Sequence, residues 1–173
     1  MTFKILFYII FMTLSTVNQA NSNAEKNLPI CRDTPNCVSS QAQDDKHFIE
    51  PFKINGNPDI AWTALKAAIN NQSRMVITHE TAATLHAEAT SLMFKFVDDI
   101  DVILDAKNKL IHIRSASRVG HSDFGVNRKR IEALRVQLQK EQLVNKINST
   151  PYIPALKRRG FTVLSGKITR ILR

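Results

Sequence analysis

Residues 94–130 constrain this chain most: a strand, a tight turn, a return strand, two glycines and a helix start follow one another without a break. Ile100, Val102 and Leu104 alternate with Asp99, Asp101 and Ile103, the two-residue period of a half-buried strand. Asp105-Ala-Lys-Asn-Lys109 reads as a hairpin turn and Leu110 to Arg118 as the return strand. Folded together, the two strands place Ile100, Val102 and Leu104 on one face with Ile111 and Ile113. The opposite face sets Asp99 and Asp101 against His112 and Arg114, and His86 and Glu88 from a neighbouring strand can join it. Cross-strand ion pairs, roughly 0.2–1 kcal/mol each, are the simpler reading of that face, and a carboxylate dyad is the alternative. The alternation slips near Val97-Asp98, which predicts a β-bulge there.

From Arg114 onward the same stretch gathers Arg114, Arg118, Arg128 and Arg130, interleaved with Ser115, Ser117, Ser122, Asp123 and Asn127. Gly120 and Gly125 permit a sharp turn, and Ser122 or Asp123 is expected to cap the helix that follows. Ile131, Leu134, Leu138 and Gln142 mark its inner stripe, and the helix fades by about Asn145. A helix N-terminus presents unpaired N–H groups and a partial positive charge, and arginines beside it make a seat for an anion. Arg114, Arg118, Ser122, Asn127 and Arg128 are the candidate set for a small anionic ligand. The competing reading has Asp99, Asp101 and Asp123 neutralise the arginines and lock strand to helix. Asp123 is then a structural cap.

Upstream, Asn57 suits an N-cap, Pro58 the first helical position and Asp59 the first turn. Ala61, Trp62, Leu65, Ala68 and Ile69 follow at helical spacing up to about Asn71, with Trp62 as a core anchor. Arg74–Glu80 and Ala82–Ser91 read as strands, the second with Ala83, Leu85, Ala87 and Ala89 inward. His47–Ile54 is a weak edge strand that tolerates Pro51. The order predicts an α+β fold, a two-layer sandwich whose antiparallel sheet of about four to five strands carries two helices on one face.

The two ends differ from this middle. Lys4, the apolar run Ile5–Leu14 and the small residues up to Ala20 and Ala24 read as a secretory signal over residues 1–24. At about ten residues the run is short of the ~20 needed to span a bilayer. An uncleaved N-terminal anchor is the alternative. Residues 25–47 lack periodicity and read as an extended arm carrying Cys31 and Cys37. In the oxidising compartment that export implies, this close pair is most simply a disulfide, worth roughly 2 kcal/mol. Neither C-x-x-C spacing nor a second ligand pair is present, so no metal or other cofactor is expected. The α+β domain proper is read over 48–145. The net charge of +9 is concentrated beyond it: residues 144–173 hold seven Lys/Arg and no acid, whereas 25–143 hold 16 Lys/Arg against 15 Asp/Glu. The basic tail 146–173 suits an anionic membrane surface. Nucleic acid is not the partner expected of an exported chain.

Three segments resemble one known family: Cys31-Arg-Asp-Thr-Pro-Asn-Cys-Val-Ser-Ser40, Phe96-Val-Asp-Asp99 and Arg114-Ser-Ala-Ser-Arg-Val-Gly-His-Ser-Asp-Phe-Gly-Val-Asn-Arg-Lys-Arg130. Together with Pro51-Phe52, Trp62 and Leu85-His-Ala87 they are similar to the family catalogued as domain of unknown function 1499, over roughly residues 31–140. The resemblance puts weight on Cys31, Cys37, Asp99, Arg114, Ser115, Ser117, Arg118, Ser122, Asp123, Asn127 and Arg128. It implies no activity. Arg32 stands where the family opening often has proline, and the tail after Asn145 lies outside the pattern.

Three functions are compatible with these residues. The first is a non-catalytic binding module of the cell envelope, periplasmic or secreted, recognising a small anion or an envelope component. The second is a hydrolase, with Ser115, Ser117 or Ser122 as nucleophile, His86, His112 or His121 as base and Asp99, Asp101 or Asp123 as orienting acid. No G-x-S-x-G elbow singles out one combination. The third is a purely structural envelope protein.

Overall fold

Alternation in the middle of the chain builds a meander of four antiparallel strands in the computed structural model, which describes residues 27–146 and the backbone of 163–164 and 167–168. In chain order the elements are β1 (Cys37–Ser39), β2 (Phe52–Lys53), α1 (Pro58–Asn70), β3 (Met75–Glu80), β4 (Thr84–Thr90), β5 (Val97–Asp105), β6 (Leu110–Ser117) and α2 (Val126–Lys140). The strands lie in the order β1-β6-β5-β4-β3, with β2 also paired to β6. Every ladder is antiparallel. The fold is therefore α+β, with six strands in its sheet instead of four to five. The unexpected strand is β1, three residues long and too short to show any periodicity in sequence, while β2 is a two-residue part of the edge strand expected over His47–Ile54. Farther on, Val163–Leu164 and Lys167–Ile168 (β7 and β8) pair with each other in a separate ladder. The proposed signal segment and most of the basic tail lie outside the described residues.

The hairpin closes on its own turn chemistry. Asp105 Oδ1 accepts the Asn108 N–H at 3.1 Å and Oδ2 accepts from Asn108 Nδ2 at 2.6 Å, while Lys109 takes the left-handed conformation with φ 53°. Its four-residue turn sets Asp101 opposite Arg114 and Val102 opposite Ile113. The bulge expected at Val97-Asp98 is absent. Both ladders of β5 run without a shift, from Thr90↔Val97 to Thr84↔Ile103 and from Asp98↔Ser117 to Asp105↔Leu110. Asp98 keeps the parity of Ile100 and Val102, and its carboxylate is tolerated there because Arg130 Nη2 donates to it at 2.6 Å. The irregular register sits between Ile77 and His79 on β3.

One apolar cluster joins the Ile100, Val102, Ile111 and Ile113 side of the sheet to Leu65 and Ile69 of α1 and to Ile131, Leu134 and Leu138 of α2. Phe52 and Trp62 complete it, with Trp62 only 6% exposed. Fully burying such side chains contributes about 1.5–3 kcal/mol each. Helix α1 starts as its residues dictate: the Asn57 side chain accepts the Asp59 N–H at 2.8 Å, and Pro58 opens the first turn. Helix α2 ends at Lys140, earlier than expected, and Gln142 lies exposed beyond it with φ 59°. Arg135 takes the inward position instead. Its guanidinium lies 4.5 Å over the Phe52 ring, donates to the carbonyls of Glu50 and Pro51, and pairs with Glu132.

The segment read as an arm takes part in this sheet. Cys31 and Cys37 form the expected disulfide, with Cα atoms 5.7 Å apart. Beyond it, β1 aligns Cys37 with Ala116 and Ser39 with Arg114. Buried His47 ties the following turn down, with Nδ1 2.8 Å from Asp44 Oδ1 and Nε2 3.0 Å from the Thr34 carbonyl. That bond to His47 holds the Asp44 carboxyl below the ordinary aspartate range. Leu28, ahead of the disulfide, is buried and donates its N–H to Gln41 Oε1.

Candidate interaction face and arginine corner

Strand alternation leaves His86 and Glu88 of β4, Asp99 and Asp101 of β5 and Arg114 of β6 on the sheet face away from the apolar cluster, half-buried and in two adjacent rows. In the first row Asp101 stands between its neighbours. His86 Nδ1 lies 2.7 Å from Asp101 Oδ1, and Arg114 Nη1 donates to Oδ2 at 2.7 Å. In the second, Arg118 reaches over Ala116 to donate to Asp99 at 2.7 Å and to Glu88. Asp99 and Glu88 together raise the Arg118 guanidinium above its ordinary pKa, so it stays charged. His86 Nε2 links the rows at 3.5 Å from Asp99. Asp101 pairs with Arg114 across the strands as the alternation predicted, whereas His112 stands opposite Ile103 and Asp99 opposite Ala116, so Asp99 takes its charge partner from Arg118 instead. Three carboxylates face two guanidiniums and one imidazole, so this face has no surplus of positive charge.

A second network forms where β6 meets α2. Asn127 is fully buried and accepts from Ser115 Oγ at 2.6 Å and from Arg130 Nη1. Its amide nitrogen donates to the Asn36 carbonyl and to Ser117 Oγ, each at 3.0 Å. Asn36 Nδ2 in turn donates to the Gly120 carbonyl at 2.6 Å. Disulfide arm, β6 and α2 are thus joined through one amide. The formal N-cap of α2 is Gly125, at φ 76°. Asp123 still serves the helix end, because its carboxylate accepts the N–H groups of Gly125 and Asn127 at 2.9 and 2.8 Å. Ser122 accepts only the Phe124 N–H, at 3.3 Å.

The five residues expected to hold an anion therefore separate. Arg114 and Arg118 belong to the outward face, although the Arg114 Nε is buried without a hydrogen-bond partner. Asn127 lies in the buried network. Arg128 donates to the carbonyls of Phe48 at 2.8 Å and Lys46 at 3.1 Å, and it has no carboxylate partner among the described residues. Ser122 is exposed in the loop before α2. Sequence reasoning missed Asp98, Asn36 and Arg135. An acid at a core-parity position of β5 and an arginine four residues after Ile131 were the available signals.

Among the described residues the catalytic candidates do not come together as one set. The His86–Asp101 pair has the base-and-acid part of a triad, yet none of Ser115, Ser117 and Ser122 hydrogen-bonds His86 among the described residues. The serine near an imidazole is Ser40, 3.4 Å from His112 Nδ1, and its oxygen already accepts the Ile113 N–H at 2.9 Å. Burial pushes the His112 pKa down, which Asp105 partly opposes. One atom each from His86, Glu88 and Asp99 lies within 4.8 Å of the others, close enough for a metal ion. The cation beside those carboxylates is the Arg118 guanidinium.

Fold and face together define a disulfide-stapled α+β domain whose outward sheet surface is covered by self-paired charges. The chain belongs to the family of proteins of unknown function designated DUF1499, whose model matches residues 27–138. That match runs from the start of the described region into the last turn of α2. No curated protein and no solved structure matches the chain.

Proposed function

We propose that the protein is a non-catalytic binding module of the cell envelope. One observation carries this reading: His86, Glu88, Asp99, Asp101, Arg114 and Arg118 on the outward face are engaged with one another, and among the described residues none of Ser115, Ser117 and Ser122 hydrogen-bonds the His86–Asp101 pair. A hydrolytic site needs nucleophile, base and acid in mutual hydrogen-bond reach. Export is supported by the Cys31–Cys37 disulfide, which persists in oxidising compartments, and by the apolar run near the N-terminus.

The proposed ligand is a small anion at the start of α2, with Arg128 as its main contact and Ser122 beside it. Arg128 is bound only by neutral carbonyls among its described partners, so its charge is not cancelled. Arg114 and Arg118 serve the outward face in this reading, and Asn127 orders the corner from inside. Inorganic phosphate should raise the melting temperature of the parent, and Arg128→Ala should remove that increment. Asp123→Ala should lower stability by about 1 kcal/mol or more, as lost caps do, with the phosphate increment retained. A parent whose melting temperature ignores phosphate would exclude the anion site.

A further inference from the structure

We propose that the sheet end formed by the β4–β5 and β6–α2 loops is a docking surface for an anionic lipid bilayer. The β4–β5 loop exposes Leu92, Met93, Phe94 and Phe96, and the β6–α2 loop exposes Val119 and Phe124. Phe124 is 89% exposed, Met93 78% and Phe94 70%. The two loops are distant in sequence but adjacent in space. Asp98 pairs with Ser117, and the Arg118 N–H donates to the Val97 carbonyl at 3.1 Å, so both loops leave the same end of the β5–β6 ladder. At roughly 200 Å² per ring, Phe94, Phe96 and Phe124 alone present roughly 400 Å² of apolar surface. With Leu92, Met93 and Val119 added, the patch exceeds the scattered apolar exposure ordinary for a soluble face. The Phe94 and Phe96 rings stack 5.5 Å apart, which gives the loop a preformed apolar tip.

Charge decides which partner fits. Lys95 lies within the tip, Arg74 is bonded to the Thr90 carbonyl at its base, and Lys129 is exposed on the first turns of α2. None of the three has an ion-pair partner among the described residues. The carboxylates at this end are engaged internally: Asp98 with Arg130, Asp99 and Glu88 with Arg118, and Asp123 with backbone N–H groups. An apolar tip ringed by uncompensated cations matches anionic headgroups above an acyl boundary. A second copy docked through the same patch would set these cations against one another. The basic tail leaves from the other end, since Asn145 bonds to Lys53 and Lys53 pairs with Leu110. The inference uses neither that tail nor Arg128, so it stands or falls apart from the anion site.

The test uses the full chain carrying Phe94→Trp, with vesicles of phosphatidylcholine alone or mixed with phosphatidylglycerol. Trp62 is the single native tryptophan and is buried, so lipid-borne bromine should leave the parent's emission unchanged. The Phe94→Trp emission should shift to the blue and be quenched by brominated lipid, and only in the anionic vesicles. Phe94→Ser combined with Phe124→Ser should weaken partitioning about tenfold or more with the melting temperature unchanged, because both rings are exposed. Binding to vesicles without quenching at position 94 would overturn the proposal in favour of the tail. Loss of a dimer in sedimentation on making the double variant, with no change in vesicle binding, would overturn it in favour of self-association.

Discussion

Arg130 shows how one side chain sets the character of a whole corner. It joins Asp98, Ser115 and Asn127, and both members of the Arg130–Asp98 pair are largely shielded from solvent. Removing one partner of a buried pair leaves the other uncompensated, a loss of about 3 kcal/mol. Arg130→Ala should therefore lower stability by that order, whereas Arg128→Ala should lose only about 1 kcal/mol, the contribution of hydrogen bonds to carbonyls. Urea unfolding of the two variants measures the contrast directly. His112 provides a pH signature. Its folded pKa is depressed, so the native state binds fewer protons than the unfolded chain as pH falls. Its contribution is complete above about 6.5, the ordinary histidine value, and declines as pH falls through the lower folded value. Asp44 and Asp105, also depressed, add a second decline below their ordinary 3.8. His112→Gln should flatten the melting temperature between neutral pH and pH 5 while leaving the more acidic limb.

Among the elements, β1 and the disulfide act as one unit. Cys37 is both the disulfide partner and the first paired residue of β1, opposite Ala116. Changing Cys31 and Cys37 to serine should cost roughly 2 kcal/mol on the chain-entropy model. Amide exchange should then rise first at Val38 and Ser39, since the edge strand is only three residues long. The β6–α2 loop depends on backbone geometry instead. Gly125 sits at φ 76° with open space where a Cβ would go, so Gly125→Ala should lose roughly 1–2 kcal/mol from conformational strain alone. Chemical denaturation of that variant, with a melting temperature equal to the parent's as the contrary outcome, checks the assignment.

At the scale of the molecule, charge divides unevenly along the chain. Most of the excess positive charge lies in residues 144–173, while the sheet face neutralises itself. Truncation after Lys146 should leave the melting temperature unchanged, because the last described backbone bond from this end to the sheet is Asn145 to Lys53, and β7 and β8 beyond it pair with each other. It should also weaken vesicle binding with a shallower salt dependence, since exposed charges are screened over ~8 Å at physiological ionic strength. A truncated chain that unfolds would mean that the tail completes the core.

The sequence alone determined the elements with a sustained period. The β5–β6 turn, the Asn57-Pro58 helix start and the Cys31–Cys37 link all rest on neighbours within a few residues, where spacing dictates geometry. Other features needed tertiary structure. Asp98 looks like a broken alternation until Arg130, 32 residues on, supplies its counter-charge. Arg135 looks like a polar helix position until Phe52 and the carbonyls of Glu50 and Pro51 surround it. The arginine cluster could have served a ligand or the fold, and only the three-dimensional positions of Asp99, Asp101, Asp98 and Phe48 show which guanidiniums are already engaged. A charge's partner is chosen by distance in space, which periodicity along the chain does not encode.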